Sequence, residues 1–120
     1  MSAEPLVAVI DDDDPFRTAL IESLYSFGYR VCGFASVEEF LAAGPSCDCI
    51  ITDIHMPGMS GLDLGRHLTI RGSKVPIILI TARSEEGLDA RVAASGAVCL
   101  LRKPFGFDDL IGWLNRILEH

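Results

Sequence analysis

Positive charge is what this chain has least of. Ten Lys and Arg stand against 17 Asp and Glu in 120 residues, a formal charge of −7. Gripping nucleic acid needs clustered cations that displace counterions, so this domain is not expected to bind it directly. An acidic chain is instead suited to a cation or a basic partner. No apolar run approaches the roughly 20 residues of a membrane span. Glu4 and Pro5 precede the first apolar stretch, and no basic segment does, so no signal peptide is visible and a cytoplasmic location is expected. Four cysteines (Cys32, Cys47, Cys49 and Cys99) are too few, without a secretory signal, to imply a disulfide framework. Cys47-Asp48-Cys49 lacks the second pair a zinc site wants, so all four read as thiols behaving as small hydrophobes. Linkers, internal repeats and low-complexity stretches are also missing. What is present is an apolar fraction of 49%, enough for one folded domain over residues 1–120 with a modest core.

The apolar residues form short runs separated by helical patterns. Leu6–Ile10 reads as a strand buried on both faces, closed by Asp11-Asp12-Asp13-Asp14. Phe16, Ala19, Leu20, Leu24 and Phe27 then recur at helical spacing, with an Asp as cap, Pro15 in the first turn and Gly28 at the stop. Arg30–Phe34 is the second strand, and Ser36-Val37-Glu38-Glu39 is a capping box that opens a helix through Ala43. Cys49–Asp53 is the third strand. A Pro57-Gly58 turn follows, and Ser60 caps a helix to about Ile70. Val75–Ile80 is the fourth strand, Ser84 the expected cap of a weak helix containing Gly87, Ala97–Leu101 the fifth strand, and Phe107, Leu110, Ile111, Leu114 and Leu118 one face of a last helix. Five strands alternating with five helices predict an α/β fold: a flavodoxin-like, doubly wound parallel sheet in the order 2-1-3-4-5. Ligands in such sheets bind at the carboxyl ends of the strands, where the order reverses. That edge collects the Asp run, Asp53, Thr81 and Lys103.

These groups have the makings of a phosphoryl-transfer site. Crowded carboxylates repel one another unless a cation neutralises them. Hard oxygen ligands on a loop edge suit Mg2+, with water and a phosphate completing the shell. A carboxylate can attack phosphorus to form an aspartyl phosphate, which makes Asp53 the candidate nucleophile. Lys103 supplies a positive charge to one phosphate oxygen, the Thr81 hydroxyl a donor to another, and the backbone N–H of Ala82 a third contact.

Taken together, Val9-Ile10-Asp11-Asp12-Asp13-Asp14, Asp53-Ile54-His55-Met56-Pro57-Gly58-Met59-Ser60-Gly61, Ile80-Thr81-Ala82 and Lys103-Pro104-Phe105 resemble the receiver domain of bacterial two-component response regulators, end to end. The stretches around Asp53 and around Ser36 are similar to the FixJ subgroup, whose members usually carry a C-terminal helix-turn-helix. The resemblance implies that Asp53 is the phosphoacceptor. Asp11 and Asp12 form the acidic pair at Mg2+, with Asp12 as the direct ligand and the backbone carbonyl of His55 as another. Thr81 is the hydroxyl that follows the phosphate, Lys103 binds it, and the Lys103–Pro104 peptide is cis. His55 and Arg83 occupy the two variable positions that tune phosphate lifetime. The switch position, three residues before the lysine and usually aromatic, holds Leu100, which has neither a ring to swing nor a hydroxyl to bond. Implied partners are a sensor histidine kinase, a second copy on phosphorylation, and DNA only through an output domain outside this chain. The domain would not be an enzyme beyond its own phosphorylation and dephosphorylation.

Plainer roles are expected for the neighbours. Asp13 and Asp14 read as a helix cap and first-turn charge, Met56 and Met59 as turn packing, and His67 and His120 as solvated surface. Trp113 lies beside the apolar stripe of the last helix, in packing or in a partner surface. Leu118-Glu119-His120 resembles the start of a purification-tag junction, which would make this a domain cut from a longer protein. Two other functions stay open at this point. An aspartyl-phosphate phosphatase would need an acid two residues past the nucleophile, where His55 stands. A pseudo-receiver would bind partners without phosphorylation.

Overall fold

A computed structural model describes residues 4–118. The chain alternates strand and helix throughout: β1 (Leu6–Ile10), α1 (Asp14–Ser26), β2 (Arg30–Phe34), α2 (Val37–Ala43), β3 (Cys49–Asp53), α3 (Gly61–Ile70), β4 (Ile77–Thr81), α4 (Leu88–Ser95), β5 (Cys99–Arg102) and α5 (Phe107–Leu118). All strand pairs are parallel and the order is β2-β1-β3-β4-β5, as the alternation predicts. β3 and β4 are buried along their whole length, because helices cover both faces of the sheet.

The period-2 alternation of each strand splits the core in two. Val7, Val9, Cys49, Ile51, Ile78 and Ile80 face α1 and α5, where Leu20, Leu24, Leu110 and Leu114 meet them. Ala8, Ile10, Ile50, Ile77 and Leu79 face the other way, against Val37 and Phe40 of α2, Leu62 and Leu64 of α3, and Leu88 and Val92 of α4. The helix starts follow local chemistry. Asp13 caps α1 by accepting from the Phe16 N–H at 3.1 Å, and Pro15 lies in the first turn. Ser36 caps α2 by accepting from the Glu39 N–H, and Ser60 and Asp63 form a reciprocal capping box on α3.

Four expectations need correction. β4 starts at Ile77 rather than Val75; Pro76 has no N–H to give the ladder, and only its carbonyl is used, accepting from Ile50 at 2.9 Å. β5 is Cys99–Arg102, shifted from Ala97–Leu101. Ser84 does not cap α4. Gly87 precedes the helix with φ +79°, a conformation that L side chains avoid, and it provides no side-chain cap. His67 is half-buried rather than solvated; His120, like Glu119 of the terminal tripeptide, lies outside the described residues. Phe27 sits at the end of α1 and is 57% exposed, with its ring edge-on to Phe107. All four cysteines are free, and burial pushes the Cys49 thiol up to about 12. Met56 and Met59 pack under the β3–α3 turn as expected.

Candidate functional site

The strand ends bring the singled-out residues to one edge. Asp11 follows β1 directly; its N–H donates to the Phe34 carbonyl at 3.1 Å, extending the ladder one step past the strand. Asp53 ends β3 in register with Ile80, and Thr81 ends β4 in register with Arg102. The Lys103 N–H donates to the Thr81 carbonyl at 2.7 Å, which fixes where the lysine leaves the sheet. The Lys103–Pro104 peptide is cis.

Lys103 holds the centre. Its Nζ donates to Asp11 Oδ2 and to Asp53 Oδ2, each at 3.0 Å. It also lies 3.9 Å from the centre of the Phe16 ring, which adds a cation–π contact on its flank. Burial pulls the Lys103 pKa down, but the bonds to the two carboxylates outweigh it and leave the value raised. Asp11 is fully buried, and that burial lifts its carboxyl above the usual range. The Asp13 N–H, at 2.9 Å from Oδ1, and Lys103 offset part of the effect, while the charge of Asp53 adds to it. Asp53 Oδ1 accepts from the His55 N–H at 2.8 Å. Both oxygens of each buried carboxylate therefore have a donor.

The other residues stand around this centre. Asp12 is exposed at its rim. Asp11, Asp12, Asp13, Asp53, His55, Ala82, Arg83 and Lys103 line a cleft of about 200 Å³. Thr81 is fully buried, but its hydroxyl is engaged elsewhere: Oγ1 lies 3.1 Å from His55 Nδ1, 3.1 Å from the Arg83 N–H and 3.2 Å from the Arg83 carbonyl. Leu100 is half-buried against the core beneath α4, which includes Leu88 and Val92. Of the set singled out in sequence, Asp11, Asp53 and Lys103 are thus in direct contact, and Thr81 reaches Asp53 only through His55.

Some functional neighbours escaped sequence reasoning. Arg17 Nη1 donates to the Asp11 carbonyl at 2.6 Å, and its Nη2 pairs with Asp14 at 2.6 Å. Glu38 Oε2 accepts from the Met59 N–H at 2.8 Å and pins the turn after Asp53 to α2. Glu85 pairs with His55 Nε2. Phe16 and Arg17 follow the acidic run at helical spacing, and that is the signal by which they could have been found. For Glu38 and Glu85 no local pattern exists.

Among the described residues, no three His, Cys, Asp or Glu side chains converge tightly enough to enclose a metal alone. Mg2+ does not require that, because one or two carboxylates suffice when waters and a phosphate complete the octahedron. The donors fit it. Two buried carboxylates share a single lysine, and an exposed third lies beside them. A larger hollow of about 460 Å³ lies between α2 and α3, but its walls are mainly apolar and it sits by the amino ends of β3 and β4, away from the carboxyl edge.

A five-stranded 2-1-3-4-5 sheet carrying two carboxylates, a lysine and a threonine at its switch point defines a class of protein. Residues 7–115 match the response regulator receiver domain model, and the chain belongs to that family. Over 97% of its length it is 35% identical to the response regulator protein TmoT of Ectopseudomonas mendocina, covering 54% of that protein. It is 42% identical over 82% of its length to the transcriptional regulatory protein FixJ of Azorhizobium caulinodans, covering 48% of it. The beryllofluoride-activated receiver domain of DrrB superimposes with a TM-score of 0.89 at 26% identity, over 98% of this chain and all of that one. The chain spans about half the length of these two curated relatives. The likeness to FixJ is consistent with the subgroup read from the motifs. No helix among the described residues is long and apolar enough to cross a membrane.

Proposed function

We propose that this domain accepts a phosphoryl group on Asp53 from the phosphohistidine of a sensor kinase. An Asp53 carboxylate oxygen attacks phosphorus, the phosphorus–nitrogen bond to the kinase histidine breaks, and the departing imidazole takes up a proton. The observation that carries this reading is the Asp11–Lys103–Asp53 arrangement, in which one cation is shared by two buried carboxylates at the sheet edge. Lys103, which already bonds Asp53, would bond a phosphate oxygen there; Ala82 lines the same cleft and would offer its N–H, and the Thr81 hydroxyl would have to turn away from His55 to join them. Asp11, Asp12, Asp53 and the His55 carbonyl are the residues that would hold Mg2+. When bound, the ion lowers the cost of bringing an anionic phosphate to an anionic nucleophile.

The longer relatives, transcriptional regulators by name, support a further reading: that this is the receiver portion of a regulator whose output domain binds DNA. A second copy of the chain as a phosphorylation-dependent partner and a cytoplasmic location are parts of the same proposal. Turnover of phosphomonoesters is not expected. Both ring nitrogens of His55 are engaged, by Thr81 and Glu85, so the ring is not free to protonate a leaving group. The intact buried cluster also disfavours a phosphorylation-independent role.

The test is incubation with acetyl phosphate and Mg2+, read by intact mass and by Trp113 fluorescence. Wild type is expected to gain one phosphoryl group, whereas Asp53→Ala and wild type in EDTA gain none. A phosphoryl gain that survives in Asp53→Ala would refute the assignment.

A further inference from the structure

The chain lacks the aromatic ring whose turning usually accompanies a threonine's move toward the phosphate, and Leu100 offers no polar group in its place. A different connection leads away from the site. Starting at Asp53, Oδ1 accepts from the His55 N–H at 2.8 Å. The His55 ring then reaches both the Thr81 hydroxyl, at 3.1 Å from Nδ1, and Glu85, from Nε2. The second oxygen of Glu85 lies 3.6 Å from Arg91, in the middle of α4.

The hydrogen bonds fix the polarity of this chain. Glu85 is an exposed carboxylate, one oxygen on His55 Nε2 and the other facing Arg91, so it accepts. Nε2 must therefore carry the hydrogen, and in the neutral ring that leaves Nδ1 as an acceptor. The Thr81 hydroxyl takes the Arg83 N–H on its lone pair at 3.1 Å. Its one hydrogen is divided between His55 Nδ1 and the Arg83 carbonyl, and none is left for the side of Asp53. To donate to a phosphate oxygen, Thr81 must give up His55.

α4 is built to respond. It has eight residues, starts without a side-chain cap, and is bracketed by Gly87 and Gly96, both left-handed at φ +79° and +84°. Its buried anchors are Leu88, Val92 and Ser95. Few contacts of this kind mark a segment of low local stability.

We propose that Glu85 is a positioning residue. By fixing the His55 tautomer and ring, it holds Thr81 in the resting orientation. Through Arg91 it makes loss of the Thr81–His55 bond felt at α4, a polar relay that replaces the missing aromatic coupling. This rests on the phosphoacceptor reading of Asp53. A ligand that draws Thr81 inward shifts the population only by its differential affinity, and the resting clamp subtracts from that affinity.

Four proteins are compared by 15N NMR with and without beryllofluoride and Mg2+: wild type, Glu85→Ala, Glu85→Gln and Arg91→Ala. Glu85 and Arg91 are exposed, so the variants keep the core intact. In unmodified wild type the His55 ring nitrogens should report the Nε2–H tautomer, and Glu85→Ala should lose that signature. Releasing one clamp bond should tighten beryllofluoride binding in Glu85→Ala by about two- to tenfold, a change that a merely structural role would not produce. Glu85→Gln, which still accepts from Nε2–H, should stay near wild type. Beryllofluoride-induced shifts across Leu88–Ser95 should fall by more than half in Glu85→Ala. In Arg91→Ala they should fall too, with affinity unchanged. Wild-type affinity and undiminished α4 shifts in Glu85→Ala would overturn the relay while leaving phosphorylation at Asp53 intact. Failure of wild type to bind beryllofluoride would overturn both readings.

Discussion

Replacing Lys103 with methionine keeps most of the side-chain volume and removes the one cation between Asp11 and Asp53. Two 3.0 Å bonds share a single nitrogen, so the two carboxylate oxygens are no more than about 6 Å apart. At that separation, with an effective dielectric of about 20, their bare repulsion is about 3 kcal/mol. Both oxygens also lose a charged donor in a buried setting, and breaking buried pairs of this kind typically costs about 3–5 kcal/mol. Removing a desolvated ammonium returns part of that cost, because the lysine is itself largely buried. The net expectation for Lys103→Met without divalent cations is a loss of about 3 kcal/mol. With a urea m-value of about 1–3 kcal/mol/M, the midpoint should fall by at least about 1 M.

Mg2+ decides whether the cause is electrostatic. If the ion takes the same two carboxylates, it neutralises what the lysine neutralised. At 100 times its Kd it stabilises the folded state by about 2.7 kcal/mol. The variant has lost the competing cation, so it should bind Mg2+ more tightly than wild type and regain most of its deficit. The assay is urea unfolding followed at Trp113, in EDTA and across a Mg2+ titration, for wild type and Lys103→Met. A deficit of the same size with and without Mg2+ would refute the reasoning, since the lysine would then be contributing packing rather than charge. No deficit in EDTA would refute it more directly.

Four further outcomes follow from the structure. In Gly61→Ala, a Cβ would lie 2.6 Å from the Asp53 carbonyl and 3.1 Å from Leu79 and Thr52 side chains, so β3 or α3 must move; phosphorylation by acetyl phosphate should slow, with loss of stability by thermal melt. Ser60→Ala removes one half of the α3 capping box and should cost about 1 kcal/mol in urea unfolding. Asp63, the other half, has its pKa held down chiefly by the Ser60 N–H. Its contribution is therefore present above the unfolded value near 4 and is lost as pH falls through the folded value, so the penalty of Asp63→Asn should shrink in melts below about pH 4. Burial raises the thiol pKa values to about 11 for Cys47 and Cys99 and about 12 for Cys49; these three should resist iodoacetamide at pH 8 until urea is added, as read by mass.

The parts of the fold that could be read from sequence are those in which a local pattern and a global constraint agree. Each buried strand is a short apolar run, and parallel topology then forces Asp11, Asp53, Thr81 and Lys103 to one edge. The boundaries that moved are those where backbone chemistry competes with hydropathy. Val75 is apolar enough for β4, but Pro76 cannot donate to the ladder, so pairing starts after it. Ser84 has the right side chain for a cap, but Gly87 takes the left-handed turn that starts α4 three residues later. Contacts between distant residues left no trace. Glu85 is 30 residues from His55 and Glu38 is 21 from Met59, so no periodicity links either pair. Phe27 fits the helical spacing of α1, yet it falls at the cap, where the face has already turned outward.

Two features that look separate in the sequence, a leucine where an aromatic is usual and a histidine two residues past the acceptor, belong together in the structure. An aromatic switch works by swinging its ring. Leu100, packed against the core under α4, leaves no such ring to relocate. The information that Thr81 has moved must then leave the site through what Thr81 was bonded to at rest, the Arg83 backbone and His55, and of these it is His55 whose ring also reaches Glu85. Because His55 also donates its backbone N–H to Asp53, one residue touches both Asp53 and the Thr81 hydroxyl. Restoring an aromatic by Leu100→Phe should therefore add little to the coupling while Glu85 is present. It should matter most in Glu85→Ala, where the polar route is cut. That non-additivity, measured as the beryllofluoride-induced shift of α4 in the two single variants and the double, separates a replaced coupling from a missing one.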